Sequence, residues 1–301
     1  MRGLAIGCVV AAALASLAPA PTFKFSLANG CTLPFVSIAP TTDSFAACDN
    51  SGQISGHGVP VKAKSLESAA KNNLCADTSE IVPMHFDDFS RLEASTDLSQ
   101  LDLRTSRSDL AVVTNVVIHG HEVGEGSVVQ FVAMMRGAHI SDCRTPSGGQ
   151  TGGEAVNCNL LGTDKNDIHI VLMPLDANDH TSECDSVTAE MIPHFRPSAW
   201  SQVDLRTPTQ NPVRLTGQLF YDNSHRACLN GKGSPARRTV WEIHPVYRFD
   251  VCKNTTEGGC DAADESAWVP FDQWVNQTGI VTQATGKKQR QACEAAAAHH
   301  S

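Results

Sequence analysis

The chain has 301 residues and a formal charge of −9 with its 12 histidines neutral. Its acids are dispersed and its basic clusters, Arg237-Arg238 and Lys287-Lys288-Gln289-Arg290, read as solvated surface or tail, so it offers no strong nucleic-acid signal. Aromatic residues are 6% of the chain, and glycine, proline, serine, threonine and asparagine are spread throughout, which points to many short strands and turns rather than long helices.

Residues 1–20 read as a secretory signal peptide. Arg2 is a short basic start, an apolar run extends from Leu4 to about Leu17, and Ala13-Leu14-Ala15 is a small-residue site. The run is short for a membrane anchor and is followed by Pro19 and Pro21. Lipid attachment at Cys8 is a further alternative. No other segment is long and apolar enough to span a bilayer, so the expected location is secreted or periplasmic, with no membrane span in the mature chain. Of the 11 cysteines, removal of Cys8 leaves an even number, which in an exported chain points to disulfides and argues against a free thiol. Cys31/Cys48, Cys143/Cys158 and Cys252/Cys260 are close enough in sequence to close local loops, each contributing roughly 2 to 4 kcal/mol. The absence of a CxxC pair gives no support to a zinc ribbon or thioredoxin-type site.

Residues 21–107 read as an N-terminal, helical and irregular cysteine-containing region. KSLESAAKNNLCA, residues 64–76, is its helical piece, capped by Ser65. HFDDFSRLEAS adds a second helical turn in which Asp87 and Asp88 read as a solvated acidic turn rather than a cation site. Strands dominate residues 108–252. DLAVVTNVVIHGHEV and SVVQFVAMMRGAHI are separated by the turn signal GEG, and a glycine-rich insertion runs from Cys143 to Cys158. DIHIVLMP (167–174), VTAEMIPH (187–194), a short helix placed at Trp200 to Arg206, PVRLTGQLFYD (212–222) and TVWEIHPVYRFDVC (239–252) follow. Residues 253–301 form a polar C-terminal extension ending in QACEAAAAHHS, a helix or frayed tail.

One small sheet cannot bury so many apolar alternations unless it closes or packs on itself. A helix interrupting the strand series after about three strands suggests a mainly β fold, an OB-like Greek-key β-barrel with one short helix, with a jelly-roll-like sandwich as the alternative. NDIHIVLMP, SVTAEMIPHFRPSAW, VRLTGQLFYDNSH and VWEIHPVYRFDVC resemble a family of exported bacterial proteins over about residues 109–252, with WEIHP the most specific run. The resemblance implies export and an OB-like barrel; it assigns no catalytic residue.

Strand side chains alternate between faces. In DIHIVL, Asp167 and His169 therefore oppose Ile168, Ile170 and Leu172. Glu190 and His194 share a face opposite Ala189 and Met191, and Glu242 and His244 alternate with the inward Trp241 and Ile243. In the OB order these three strands are neighbours about 4.8 Å apart, so the six polar side chains form a patch roughly 10 Å wide on the outer wall. Asp222 and His225 could extend it, and His119 and His121 share a face at another strand end.

Three uses remain open. The first is binding of a ligand or a divalent metal, zinc or manganese, with Asp167, His169, His194, Glu242, His244 and His225 as candidate ligands. The second is hydrolysis of a phosphodiester or another ester, with His169, His244, Glu242 and Glu190 as candidate catalytic groups and a small-molecule or oligomeric substrate. His169-Ile170-Val171 and His244-Pro245-Val246 resemble the paired motifs of 2H phosphoesterases, but both have Val where that family has Ser or Thr. The third is a non-catalytic envelope or interaction protein in which the acid–imidazole pairs are ordinary cross-strand partners and Pro245 marks a bulge or edge. No GxSxG elbow is present.

Overall fold

The computed structural model describes residues 70–73, 80–95, 116–141, 154–157, 160–193, 196–222, 224–277 and 284–300. The signal segment with Cys8, the Cys31/Cys48 and Cys143/Cys158 pairs, and His194 lie outside the described residues. Of the helix expected at 64–76, residues 70–73 are described: Ala70 and Lys71 are helical, but Asn72 is in a turn and Asn73 has no regular structure, so the helix does not continue through them.

The strands are β1 (Val82–Pro83), β2 (Val116–Ile118), β3 (His121–Val123), β4 (Val128–Ile140), β5 (Ile168–Met173), β6 (Val187–Met191), β7 (Val213–Tyr221), β8 (Trp241–Cys252) and β9 (Trp268–Pro270). The helices are α1 (Asp88–Ser95), α2 (Phe271–Gln277) and α3 (Ala284–His300). Neighbours run β4-β5-β6-β8-β7, and β7 returns to β4, closing a five-stranded barrel. All barrel pairs are antiparallel except β6 with β8, which run parallel. This is the OB-like order expected from the strand pattern.

Closure depends on β4. Its first half pairs with β7 from Val128 to Ala133, its second half pairs with β5 from Met134 to Ile140, and the register shifts between Met135 and Gly137. A bulge at that point bends the strand and lets one ribbon serve both edges. Alternate residues then face inward: Val129, Phe131 and Ala133 from β4, Ile168, Ile170 and Leu172 from β5, Val187, Ala189 and Met191 from β6, with Leu215 and Ile243 opposite, all in one buried cluster.

A short 3₁₀ turn at Trp200–Gln202 stands where the connecting helix was expected, and Trp200 packs on Phe249, ring centroids 6.1 Å apart. Residues assigned to the polar extension contribute to the same body. β9 pairs with the end of β8, and Phe271 stacks on Phe249 at 4.7 Å. Gly217 of β7 meets β8 where a Cβ would lie 2.5 Å from both Ile243 Cγ2 and the Pro245 carbonyl, and the β7–β8 register shifts there. The irregularity expected at Pro245 is thus present, inside the barrel wall.

Several expectations need correction. Of the strand expected at 109–123, residues 109–115 lie outside the described residues, and the rest is broken. His119 and Gly120 have φ of 50° and 86°, a two-residue turn with both positions left-handed, and β2 and β3 pair as a separate ribbon. The apolar run had hidden the Gly-containing turn. Asp88 is not solvated: it is buried at the start of α1 and accepts hydrogen bonds from the His85 amide at 2.7 Å, His119 Nε2 at 2.8 Å and Arg91 Nη1 at 3.1 Å. The cysteines do not all pair either. Cys252–Cys260 is a disulfide as expected, Cys184 bonds to Cys228, and Cys293 is free and buried.

Candidate metal centre

The outward faces of β5, β6 and β8 meet as their order requires. His169 lies opposite Glu190 in the β5–β6 register, and Ala189 lies opposite Ile243 in the β6–β8 register, which sets Glu190 beside Glu242 and His244. His169 Nε2 is 2.8 Å from Glu190 Oε1, and His244 Nδ1 is 2.9 Å from Glu190 Oε2. His244 Nδ1 is also 3.3 Å from Glu242 Oε1, and His244 Nε2 is 3.6 Å from Asp167 Oδ2.

The face lies outside the barrel core, as expected, but it is not a solvated surface. The side chains of Asp167, Glu242 and His244 have no exposure and Glu190 has 4%, while His169 at 19% forms the only edge to water within this set. Two segments cover it. Asn157 donates to Asp167 Oδ1 at 2.8 Å from the insertion after β4. From the N-terminal region, Asn73 donates to Gln218 Oε1 at 2.6 Å and accepts at its carbonyl from the Tyr247 hydroxyl, while Gln218 donates to the Ala70 and His244 carbonyls at 2.8 and 2.9 Å. Asn72 donates to the Val156 carbonyl at 3.3 Å, joining the two covers.

The chain of ion pairs continues through Glu242. Arg237 donates to Glu242 Oε2 at 3.0 Å and to Asp222 Oδ2 at 2.7 Å, and Asp222 Oδ2 is 2.6 Å from His225 Nδ1. Arg237 is 1% exposed, which corrects its reading as part of a solvated basic doublet; Arg238 is itself only partly exposed, lying over the Phe86 ring and paired with Asp87. With its oxygens directed to Arg237 and His244, Glu242 belongs to neither of the groups that could hold a metal. His225 is likewise outside them, held at the far end of the chain by Asp222. His119 and His121 are elsewhere, paired with Asp88 and Glu80.

The two ligand groups among the described residues are Asp167, Glu190 and His244, and Glu154, His169 and Glu190. In each, one donor atom per residue lies within 4.8 Å of the others. Glu154 was missed in the sequence, where it is a lone acid in a glycine-rich insertion. It is held there by Ser141 Oγ at 2.6 Å to Oε1, and by Asn157 Nδ2 at 3.2 Å and the Asp167 amide at 3.4 Å to Oε2.

The electrostatics follow from this packing. Burial disfavours the charged form of both imidazoles, but the Glu190 carboxylate outweighs it, pushing His169 up to about 9 and His244 up to about 10. Burial would raise Glu190, yet His169 and His244 hold it well below the usual carboxylate range. Burial, reinforced by the charge of Glu154, pushes Asp167 well up. Burial and the charges of Glu190 and Asp222 also raise Glu242.

Three buried atoms in the cluster make no hydrogen bond, Asp167 Oδ2, His244 Nε2 and His169 Nδ1, whereas Glu190 Oε2 is held in its ion pair with His244 Nδ1. Unsatisfied polar atoms in a dry site are costly, and an ion is one way to satisfy them. Ligands about 2.0–2.2 Å from a tetrahedral ion stand about 3.3–3.6 Å apart, so the 3.6 Å between Asp167 Oδ2 and His244 Nε2 is a ligand-to-ligand spacing. Imidazole with carboxylates suits zinc or manganese. Among the described residues no helix is long and apolar enough to cross a membrane. Comparison of the chain with protein-family models, with curated proteins and with solved structures found no match.

Proposed function

We propose that the chain is an exported, disulfide-stapled protein whose barrel wall binds a divalent metal ion between Asp167, Glu190 and His244. The observation that carries this reading is the facing of Asp167 Oδ2 and His244 Nε2, both buried and without hydrogen bonds. Export is supported by the two disulfides among the described residues and by the signal-like residues 1–20. Burial of all three side chains, which leaves no path for a bulky ester, favours a binding site over one that turns such a substrate over. The hydrolytic alternative draws on one feature, the solvent-facing edge at His169.

Elemental analysis of purified protein after dialysis tests the proposal. The wild type is expected to retain at least one equivalent of zinc or manganese. Asp167→Asn, which preserves the shape of the side chain, is expected to retain less than a tenth of it. Equal metal content in the two proteins, or none in the wild type after reloading, refutes the site.

A further inference from the structure

Glu190 presents its two oxygens in different directions. Oε1 meets His169 Nε2 at 2.8 Å, and Oε2 meets His244 Nδ1 at 2.9 Å. Each oxygen therefore faces a separate imidazole, and each imidazole has a further carboxylate near it: Asp167 at Nε2 of His244, the ring nitrogen that Glu190 does not touch, and Glu154 in the group with His169. We infer that the wall carries a second divalent-metal position, formed by Glu154, His169 and Glu190, so that Glu190 bridges two ions. The inference rests on the first position proposed above.

Three features support the outer position. Glu154 is not a free surface acid: both of its oxygens are held by donors from the strand end and the insertion, which aims the carboxylate at the cluster. The His169 ring is fixed from the other side by His139, stacked at 5.0 Å between centroids with 10° between the planes. His169 Nδ1 is buried and makes no hydrogen bond, so the ring is not committed through that atom to another partner. Two-metal sites hold their ions about 3.5–4 Å apart, a separation that one carboxylate with an oxygen toward each ion can span.

The two positions differ in access. The inner set is closed, whereas His169 and Glu154 are partly exposed, so the outer ion exchanges faster. Three protein ligands also leave it at least one position for water or for an anionic oxygen of the phosphate or carboxylate class.

Titration of the chelator-treated full chain with Mn²⁺, followed by electron paramagnetic resonance, tests this directly. The wild type is expected to take up two equivalents and to show an exchange-coupled signal. Glu154→Gln and His169→Gln are each expected to take up one equivalent with an uncoupled six-line signal, and that retained ion also reports a folded inner site. One equivalent in the wild type, unchanged in Glu154→Gln, overturns the second position and leaves the first standing. Two equivalents without coupling overturn the bridge. No uptake at all overturns the first position and this one with it.

Discussion

Asp167 Oδ2 and His244 Nε2 face each other at 3.6 Å across the barrel wall, both out of contact with water and neither in a hydrogen bond. A bound ion relieves both atoms only in the folded chain, so it must stabilise the fold by mass action. Zinc or manganese at 100 times its dissociation constant is expected to add about 2.7 kcal/mol to the wild type. Chemical denaturation with and without the ion measures this. The increment should vanish in Asp167→Asn, and an equal increment in both proteins contradicts the assignment.

The chelated protein and the metal-loaded protein should respond to pH in opposite directions. With no metal, His169 is pushed up to about 9 and His244 up to about 10, both above the ordinary value of 6.5. A group raised on folding contributes stability that is complete below its unfolded value and is lost as pH rises through the folded one. The chelated protein should therefore lose this contribution between about pH 6.5 and pH 10. Metal must displace the same imidazole protons, so its affinity rises over that range. Thermal melts at pH 6.5, 8 and 9.5, with and without chelator, should diverge; parallel curves would show that the imidazoles do not hold the ion.

Arg237 bridges Asp222 and Glu242 in the chain of ion pairs, and all three side chains are buried. Arg237→Met removes the charge while keeping much of the volume, leaving Asp222 to His225 and Glu242 to His244, with Lys71 the remaining cation near both. Breaking a buried pair in this way costs about 3–5 kcal/mol. Arg238→Met, at the partly exposed neighbour paired with the exposed Asp87, should cost less than about 1 kcal/mol. Urea denaturation of the two variants gives the contrast, and comparable losses would remove the distinction drawn between the adjacent arginines.

Gly217 has no room for a side chain, because a Cβ would lie 2.5 Å from Ile243 Cγ2 and from the Pro245 carbonyl. The methyl group of Gly217→Ala must force β7 and β8 apart, and overpacking of this kind costs typically about 1–3 kcal/mol. Because β8 also carries Glu242 and His244, metal affinity should fall together with stability. A variant as stable as the wild type would show that the two strands yield at this point without cost.

The barrel was legible in the sequence because its strands keep a strict two-residue period. In DIHIVL, the alternation alone assigned Ile168, Ile170 and Leu172 to the core and Asp167 and His169 to the other face, and the OB-like order then brought β5, β6 and β8 together. Burial of the polar face was not legible. It depends on Asn73 meeting Gln218 and Tyr247, contacts separated by 145 and 174 residues, which no local pattern encodes. Glu154 was lost because it stands as a lone acid in a glycine-rich insertion with no strand period to give it a face, and Arg237 because two adjacent arginines look identical in sequence although one is buried in the wall and the other is partly exposed. The ribbon of β2 and β3 was missed for a local reason: the β-branched run on either side masked the turn at His119-Gly120.

The cover over the acid–imidazole face also implies an order of assembly. Residues 70–73 precede every barrel strand in the chain, yet their partners Gln218 and Tyr247 lie on the last two strands of the closed barrel. Contacts so distant in sequence are entropically expensive to form early. The first of these segments to be synthesised is thus expected to dock last, leaving a window in which ions can enter a wall that later shuts over them. Pulse-labelling hydrogen exchange would expose that window as late protection of the Asn73 region relative to β5 and β6.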